Sequence, residues 1–168
     1  LDNSQKKSHM QINKAKAGNL IEIMYLNIAT EKQMLNDRMS GWGHIKHNQD
    51  SISKRISEGC VLTANVLQSS VGTLIYDLNF NISESSINFD GKKPVFIEGL
   101  FIYPSYRNQG ISTELIKRLT EEAVVKDYDS IAVSVAIENT KGFSFFMSRG
   151  FDEVGIDNMG FIYLEKML

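Results

Sequence analysis

Two stretches of this sequence hold residue types that could do chemistry. The first centres on Glu98, the one acidic side chain inside the apolar run Pro94–Tyr103. A carboxylate between Ile97 and Gly99 must face a cleft or be paired, because an isolated buried charge is too costly to keep. Placed at a cleft, it could accept a proton or hold a cation. The second stretch is Arg107-Asn108-Gln109-Gly110-Ile111-Ser112-Thr113, where a short polar turn after Tyr103-Pro104 opens a helix. A strand that delivers a Gly-containing loop onto a helix N-terminus is an anion cradle in outline. The first helical N–H groups lack intrahelical acceptors, and the helix dipole adds partial positive charge there. Gly110 would let the backbone approach a phosphate with no Cβ in the way.

The elements that must position these groups are legible from periodicity. Gln11–Lys16 fits a short edge strand. Ala17-Gly18-Asn19 supplies a turn and a helix cap, and Leu20, Ile23, Met24, Asn27 and Ile28 follow at helical spacing to about Thr30. Glu31–Gly43 carries a weaker pattern. Asp50 or Ser51 caps a second helix, with Ile52 and Ile56 on one face and Gly59 past its end. Cys60–Leu67 and Val71–Phe80 are strands joined by a hairpin loop at Gln68-Ser69-Ser70. Asn81–Lys93 is a polar connection or flap, and Pro94–Tyr103 is the third strong strand. The helix from Ile111 to about Lys126 places Ile111, Leu115, Ile116, Leu119 and Ala123 on one face. Ser130–Ile137 is a Val- and Ile-rich buried strand. Asn139–Arg149 is a helix stopped by Gly150, and Asp152–Gly155 and Gly160–Met167 are closing strands around an Asp157-Asn158 turn. The two strands flanking the Ile111 helix need a crossover and so run parallel, whereas the hairpins make antiparallel pairs. The expected fold is a mixed, mostly antiparallel sheet of about seven strands with one parallel pair and helices on both faces.

The bulk numbers narrow the function classes. A chain of 168 residues with 42% hydrophobic content suits one domain with a sizeable core. Residues 1–9 lead into a Ser-His-Met join at Ser8–Met10 that resembles an expression-vector scar, so the domain is expected over 10–168. A net charge of −2 gives no basic field for nucleic acid or an anionic membrane. A single cysteine, Cys60, excludes an internal disulfide and a cysteine-cluster metal site, and is most simply a small core residue. No apolar run approaches the roughly 20 residues of a membrane span. The expectation is a cytoplasmic protein without a metal.

The run Arg107–Ser112, after Ile102-Tyr103-Pro104, resembles the Arg/Gln-x-x-Gly-x-Gly/Ala motif of the GCN5-related N-acetyltransferase (GNAT) superfamily. Glu138-Asn139-Thr140 through Phe145-Phe146 to Arg149-Gly150-Phe151 resembles that family's second block, and the element order agrees from Met10 to Leu168. The resemblance implies an acyl-coenzyme A N-acyltransferase fold with acetyl-coenzyme A held where the parallel strands splay apart. It places the pyrophosphate on Asn108–Thr113, with Arg107 in the motif, and the pantetheine arm on main-chain groups of Phe101 and Ile102. An N–H of that strand could polarise the thioester carbonyl. Asn139 becomes a side-chain contact near the pantetheine, and Phe145 and Phe146 pack against the cofactor. Packing as plain core is open for the phenylalanines. Ser112 stands where the family has Gly or Ala. Glu98 takes the position of the family's strand carboxylate, which acts as base or amine anchor; a structural role is equally open.

The resemblance also sets what stays open. Many members carry Tyr where this chain has Phe146, and Phe cannot protonate a departing thiolate. Trp42, His44 and His47 lie in the segment that lines the acceptor side in this family; Trp42 is the candidate contact, and the two histidines are expected at the surface. Asp77 and Glu84 could attract a cationic acceptor. The Glu98-Gly99 pair after a polar insertion is similar to the aminoglycoside 6′-N-acetyltransferases. The expected activity is therefore acetyl transfer in a ternary complex to a primary amine of a small molecule. A protein or peptide N-acetyltransferase and an acyl-coenzyme A-binding regulatory module without turnover are the alternatives. The family often forms dimers, which the closing strands could mediate.

Overall fold

The computed structural model describes residues 10–36 and 47–168. The elements are β1 (Met10–Lys14), α1 (Leu20–Asn36), α2 (Gln49–Ser57), β2 (Val61–Val66), β3 (Ser69–Asp77), β4 (Pro94–Ile102), α3 (Ile111–Val125), β5 (Ser130–Ala136), α4 (Thr140–Met147), β6 (Asp152–Ile156) and β7 (Phe161–Met167). The order is the one predicted. The seven strands make one mixed sheet, β1-β2-β3-β4-β5-β7-β6. β4 and β5 pair in parallel over four positions, from Pro94↔Ser130 to Ile97↔Val133. The β1–β2, β2–β3, β5–β7 and β6–β7 pairs are antiparallel. The parallel pair is bridged by α3, as a crossover requires. The predicted stripe of α3 is its buried one: Ile111, Leu115, Ile116, Leu119 and Ala123 are all buried.

Among the described residues the chain forms two compact units. One comprises residues 10–33, 47–76 and 99–119. Here α1 buries Ile23, Leu26, Asn27 and Thr30, and leaves Ile28, which the predicted face included, 54% exposed. The helix also continues past Thr30 to Asn36. Its buried Thr30 is self-satisfied, the hydroxyl donating to Leu26 O at 2.8 Å. The cap of α2 is Asn48 rather than Asp50 or Ser51. Asn48 Oδ1 accepts from Ser51 N and Ser51 Oγ accepts from Asn48 N, at 2.9 and 3.0 Å, a reciprocal capping box. The β2–β3 turn is also tighter than predicted. Val66 pairs with Ser69, so only Leu67 and Gln68 turn the chain, both with left-handed backbone (φ 49° and 69°). That is the two-residue form whose twist matches paired strands.

The second unit comprises residues 34–36, 77–98 and 120–168. The predicted flap, residues 81–93, is tied down as a strap. Four successive N–H groups are held by two carboxylates: Asp90 and Gly91 donate to Glu165, at 2.7 and 3.1 Å, and Lys92 and Lys93 to Asp129, at 2.8 and 2.9 Å. Glu165 is buried on β7 and also accepts from Ser130 Oγ at 2.6 Å. Upstream, Phe80 stacks on Phe96 of β4 with centroids 4.2 Å apart, and Phe89 meets Phe80 and Tyr163 edge-on. Carboxylates that take consecutive backbone donors do the work a further strand would have done.

Candidate active site

The loop Arg107–Gly110 is shaped by backbone conformation. Asn108 and Gly110 both have left-handed φ, 59° and 82°, with one residue between them. Asn tolerates that region and Gly adopts it freely. Alternation of this kind turns successive N–H groups into one concavity, a backbone nest suited to anions. Gly110 is also the residue from which α3 starts, since Glu114 N donates to Gly110 O at 3.1 Å. The nest therefore runs into the first turn of α3, at Ile111, Ser112 and Thr113, where the dipole favours negative charge. Ile111 is buried and anchors the helix start; Ser112 is half-buried and Thr113 exposed.

One glycine and two side chains of the motif position this loop. A Cβ on Gly72 of β3 would come within 2.7 Å of Ile102 Cδ1 and 3.1 Å of Ile111 Cγ2. Gly72 thus lets the end of β4 and the start of α3 close onto β3, a contact that no local sequence signal marks. Arg107 Nε donates to Ile102 O at 3.2 Å, and Gln109 Nε2 to Ser105 O at 3.1 Å. Both side chains of the motif brace the turn; their contribution to an anion would come from the main chain. Gly99 leaves room for the ring of Phe101 and for His47.

The main chain at the end of β4 corrects one expectation. Tyr103 N donates to Val71 O of β3 at 2.9 Å. Backbone groups alternate sides along a strand, so Phe101 also addresses β3, and its carbonyl lies beside Gly72. Leu100 and Ile102 therefore turn their N–H groups the other way. Leu100, not Phe101, joins Ile102 as the residue able to pair with an extended arm, and the side chain of Phe101 is core.

His47 is half-buried rather than fully at the surface. Its ring packs edge-on against Phe101, 5.4 Å between centroids, and its carbonyl accepts from Asn27 Nδ2 at 2.9 Å. Trp42 and His44 lie outside the described residues.

In the second unit, Glu98 is half-buried on β4. Asn139 caps α4: its Oδ1 accepts from Gly142 N at 2.9 Å, which leaves Nδ2 as the group it could present to a ligand. Phe146 is core, 6% exposed, between Phe145 and Phe151 with both centroids at 5.1 Å. Phe145 is half-buried beneath the Arg149 guanidinium, 3.6 Å from its ring. Burial lowers the Arg149 pKa from its ordinary value. Of the two predicted phenylalanine contacts, only Phe145 keeps exposed ring surface. Among the described residues no group of three His, Cys, Asp or Glu side chains is placed to hold a metal, and no helix is long and apolar enough to cross a membrane.

Residues 31–151 match the Acetyltransferase (GNAT) family, and the chain belongs to that family. Over 64 residues it is 31% identical to the aminoglycoside N(6′)-acetyltransferase type 1 of Salmonella typhimurium, a match spanning 38% of this chain and 44% of that protein. The fold is shared with a GNAT-family acetyltransferase from Listeria monocytogenes, at 18% identity and TM-score 0.78, with 95% of each chain covered. It is also shared with the PaiA N-acetyltransferase of Thermoplasma acidophilum, solved with coenzyme A, at 16% identity and TM-score 0.76, covering 95% of this chain and 99% of that one.

Proposed function

We propose that this chain transfers an acetyl group from acetyl-coenzyme A to a primary amine of a small molecule. The observation that carries the reading is the left-handed Asn108–Gly110 nest running into the N-terminus of α3 directly after β4. Its residues fit a pyrophosphate: small or flexible side chains, first-turn N–H groups, and no acidic side chain from Tyr103 to Thr113. Main-chain groups of Leu100 and Ile102 would hold the pantetheine arm as an added strand does. Acetyl-coenzyme A, when bound, supplies the activated thioester.

The remaining chemistry is proton transfer. An ammonium cannot attack, so a base must take its proton, directly or through a water. Glu98 is the acidic side chain of β4, four residues before Ile102, and we assign it that role. Phe146 offers no proton to the departing sulfur. This favours either unassisted departure or the alternative of a binding module without turnover.

Thiol release from acetyl-coenzyme A with an amine panel that includes an aminoglycoside separates the two. Turnover on one amine supports the enzyme; coenzyme A binding with no turnover across the panel supports the module. Glu98→Gln is expected to lower kcat/KM about 100-fold, within the range for general base catalysis, while calorimetric affinity for coenzyme A stays near wild type. Unchanged turnover removes Glu98 from the mechanism.

A further inference from the structure

The strap carries the sequence's one Asp-Gly pair, Asp90-Gly91, and the sequence has no Asn-Gly. This dipeptide is labile wherever the chain is loose. The Asp carboxyl can close onto the next backbone nitrogen, and a glycine there has no Cβ to hinder the approach. The Asp90 side chain is exposed, so its carboxyl has room to turn. Gly91 cannot give way to a less reactive neighbour. A Cβ there would collide with Ser130 Oγ and stand 2.7 Å from Glu165 Oε1. The Ser130–Glu165 pair, joined by a hydrogen bond of 2.6 Å, therefore imposes the labile dipeptide on this turn.

The same carboxylate blocks the reaction. Ring closure needs Gly91 N to give up its proton and to face Asp90 Cγ. In the folded chain that nitrogen is buried and donates to Glu165 Oε1 at 3.1 Å, while Asp90 N donates to Oε2 at 2.7 Å. The peptide groups on both sides of the Asp90 side chain are thus held by one buried residue. Cyclisation requires the strap to open locally, and its rate follows the open population.

We propose that Asp90-Gly91 is a site of spontaneous isoaspartate formation that Glu165 keeps latent, and that the modification, once made, unlocks the strap. In the first step Gly91 N bonds to Asp90 Cγ. The amide proton and the hydroxyl of the Asp90 carboxylic acid leave as one water, which gives a five-membered succinimide. Water then opens the ring at either carbonyl. Cleavage of the Cγ–N bond restores Asp90. Cleavage at the main-chain carbonyl leaves that carbon as a free carboxylate and routes the chain through Cβ and Cγ. Water is the only co-reactant, and nothing is oxidised or reduced. The isoaspartyl main chain is one carbon longer between Asp90 Cα and Gly91 N. Its two N–H groups then no longer match the two oxygens of Glu165. The proposal is independent of the acetyl-transfer reading.

The test ages the full chain at neutral pH and physiological temperature, as wild type and as Glu165→Gln, each folded and in urea. Peptides containing residue 90 are then quantified by chromatography, which separates the isoaspartyl form at unchanged mass. In urea both proteins should isomerise at one rate, since the chemistry is that of the open chain. Folded wild type should be about 10- to 100-fold slower, as one hydrogen bond to a charged group implies. Folded Glu165→Gln should exceed folded wild type by about 5–30-fold. A second comparison needs no variant: in urea below the unfolding transition, the wild-type rate should rise in step with amide exchange at residue 91. Isolated isoaspartyl protein should exchange that amide faster than fresh protein. Absence of isoaspartate in urea overturns the site. Equal rates for folded wild type and folded Glu165→Gln, or a rate that does not track exchange at residue 91, overturn the latch. Unchanged exchange in the isoaspartyl protein overturns the unlocking.

Discussion

Glu165→Leu is expected to destabilise the fold by about 3 kcal/mol, read as a lower midpoint in urea at unchanged slope. The carboxylate accepts from Asp90 N, Gly91 N and Ser130 Oγ, and its own side chain is buried. Leucine fills a similar volume but accepts nothing. An orphaned buried donor costs about 1–3 kcal/mol, and both Gly91 N and Ser130 Oγ are buried. Removing a buried charge returns part of that loss, which is why the expected total stays below the sum. Glu165→Gln should cost less, about 1–2 kcal/mol, because the amide oxygen still accepts one bond. The reporting segment is the strap, since its N–H groups lose their anchor: amide exchange at residues 90 and 91 should rise in both variants. A change below about 0.5 kcal/mol in Glu165→Leu, the range of ordinary surface substitutions, would mean that the strap holds without this carboxylate.

Gly110→Val is expected to weaken coenzyme A about 100-fold, with only a modest effect on folding. The residue has φ 82° and is exposed, so the cost is conformational rather than one of packing. A β-branched side chain resists left-handed backbone by about 1–3 kcal/mol. The loop can escape the strain by flipping Gly110 to an ordinary φ, and the nest then no longer points its N–H groups inward. Losing one or two hydrogen bonds to a charged phosphate, each worth about 1.5–3 kcal/mol, gives the stated factor. Calorimetric titration of both proteins with coenzyme A measures it. Gly110→Ala should fall between the two, because alanine meets the same left-handed penalty without the branched carbon.

How far the sequence specifies this site varies with the range of the interaction. The α3 stripe was legible because helix periodicity is local, and so was the loop, whose Gly follows an apolar strand and precedes a helix. The β2–β3 turn was not, because Leu67 and Gln68 occupy left-handed positions that usually call for Asn or Gly. The Ser pair after them has the turn composition but stands in the strand. Asn139 shows a different limit. Its position in the motif suggests a ligand contact, while its carbonyl oxygen is spent on capping α4, a local role that an Asn before a helix fits equally well. Glu165 and Gly72 carry no sequence signal of their function at all. Glu165 meets donors 74 and 75 positions away; Gly72 is read only once Ile102 and Ile111 are seen against it.

The claim at the centre is that one continuous path, from the end of β4 through the nest to the first turn of α3, holds the two parts of coenzyme A. Amide nitrogen–proton correlation spectra recorded during titration test it directly, with coenzyme A and with pantetheine, which lacks the pyrophosphate. Coenzyme A should shift two sets of amides most: Leu100 and Ile102 on the strand, and Asn108, Gly110, Ile111, Ser112 and Thr113 in the loop and helix. Pantetheine should shift the strand set and leave the loop set in place. Loop amides that do not respond to coenzyme A, or that respond equally to pantetheine, would contradict the assignment of the pyrophosphate to the α3 N-terminus.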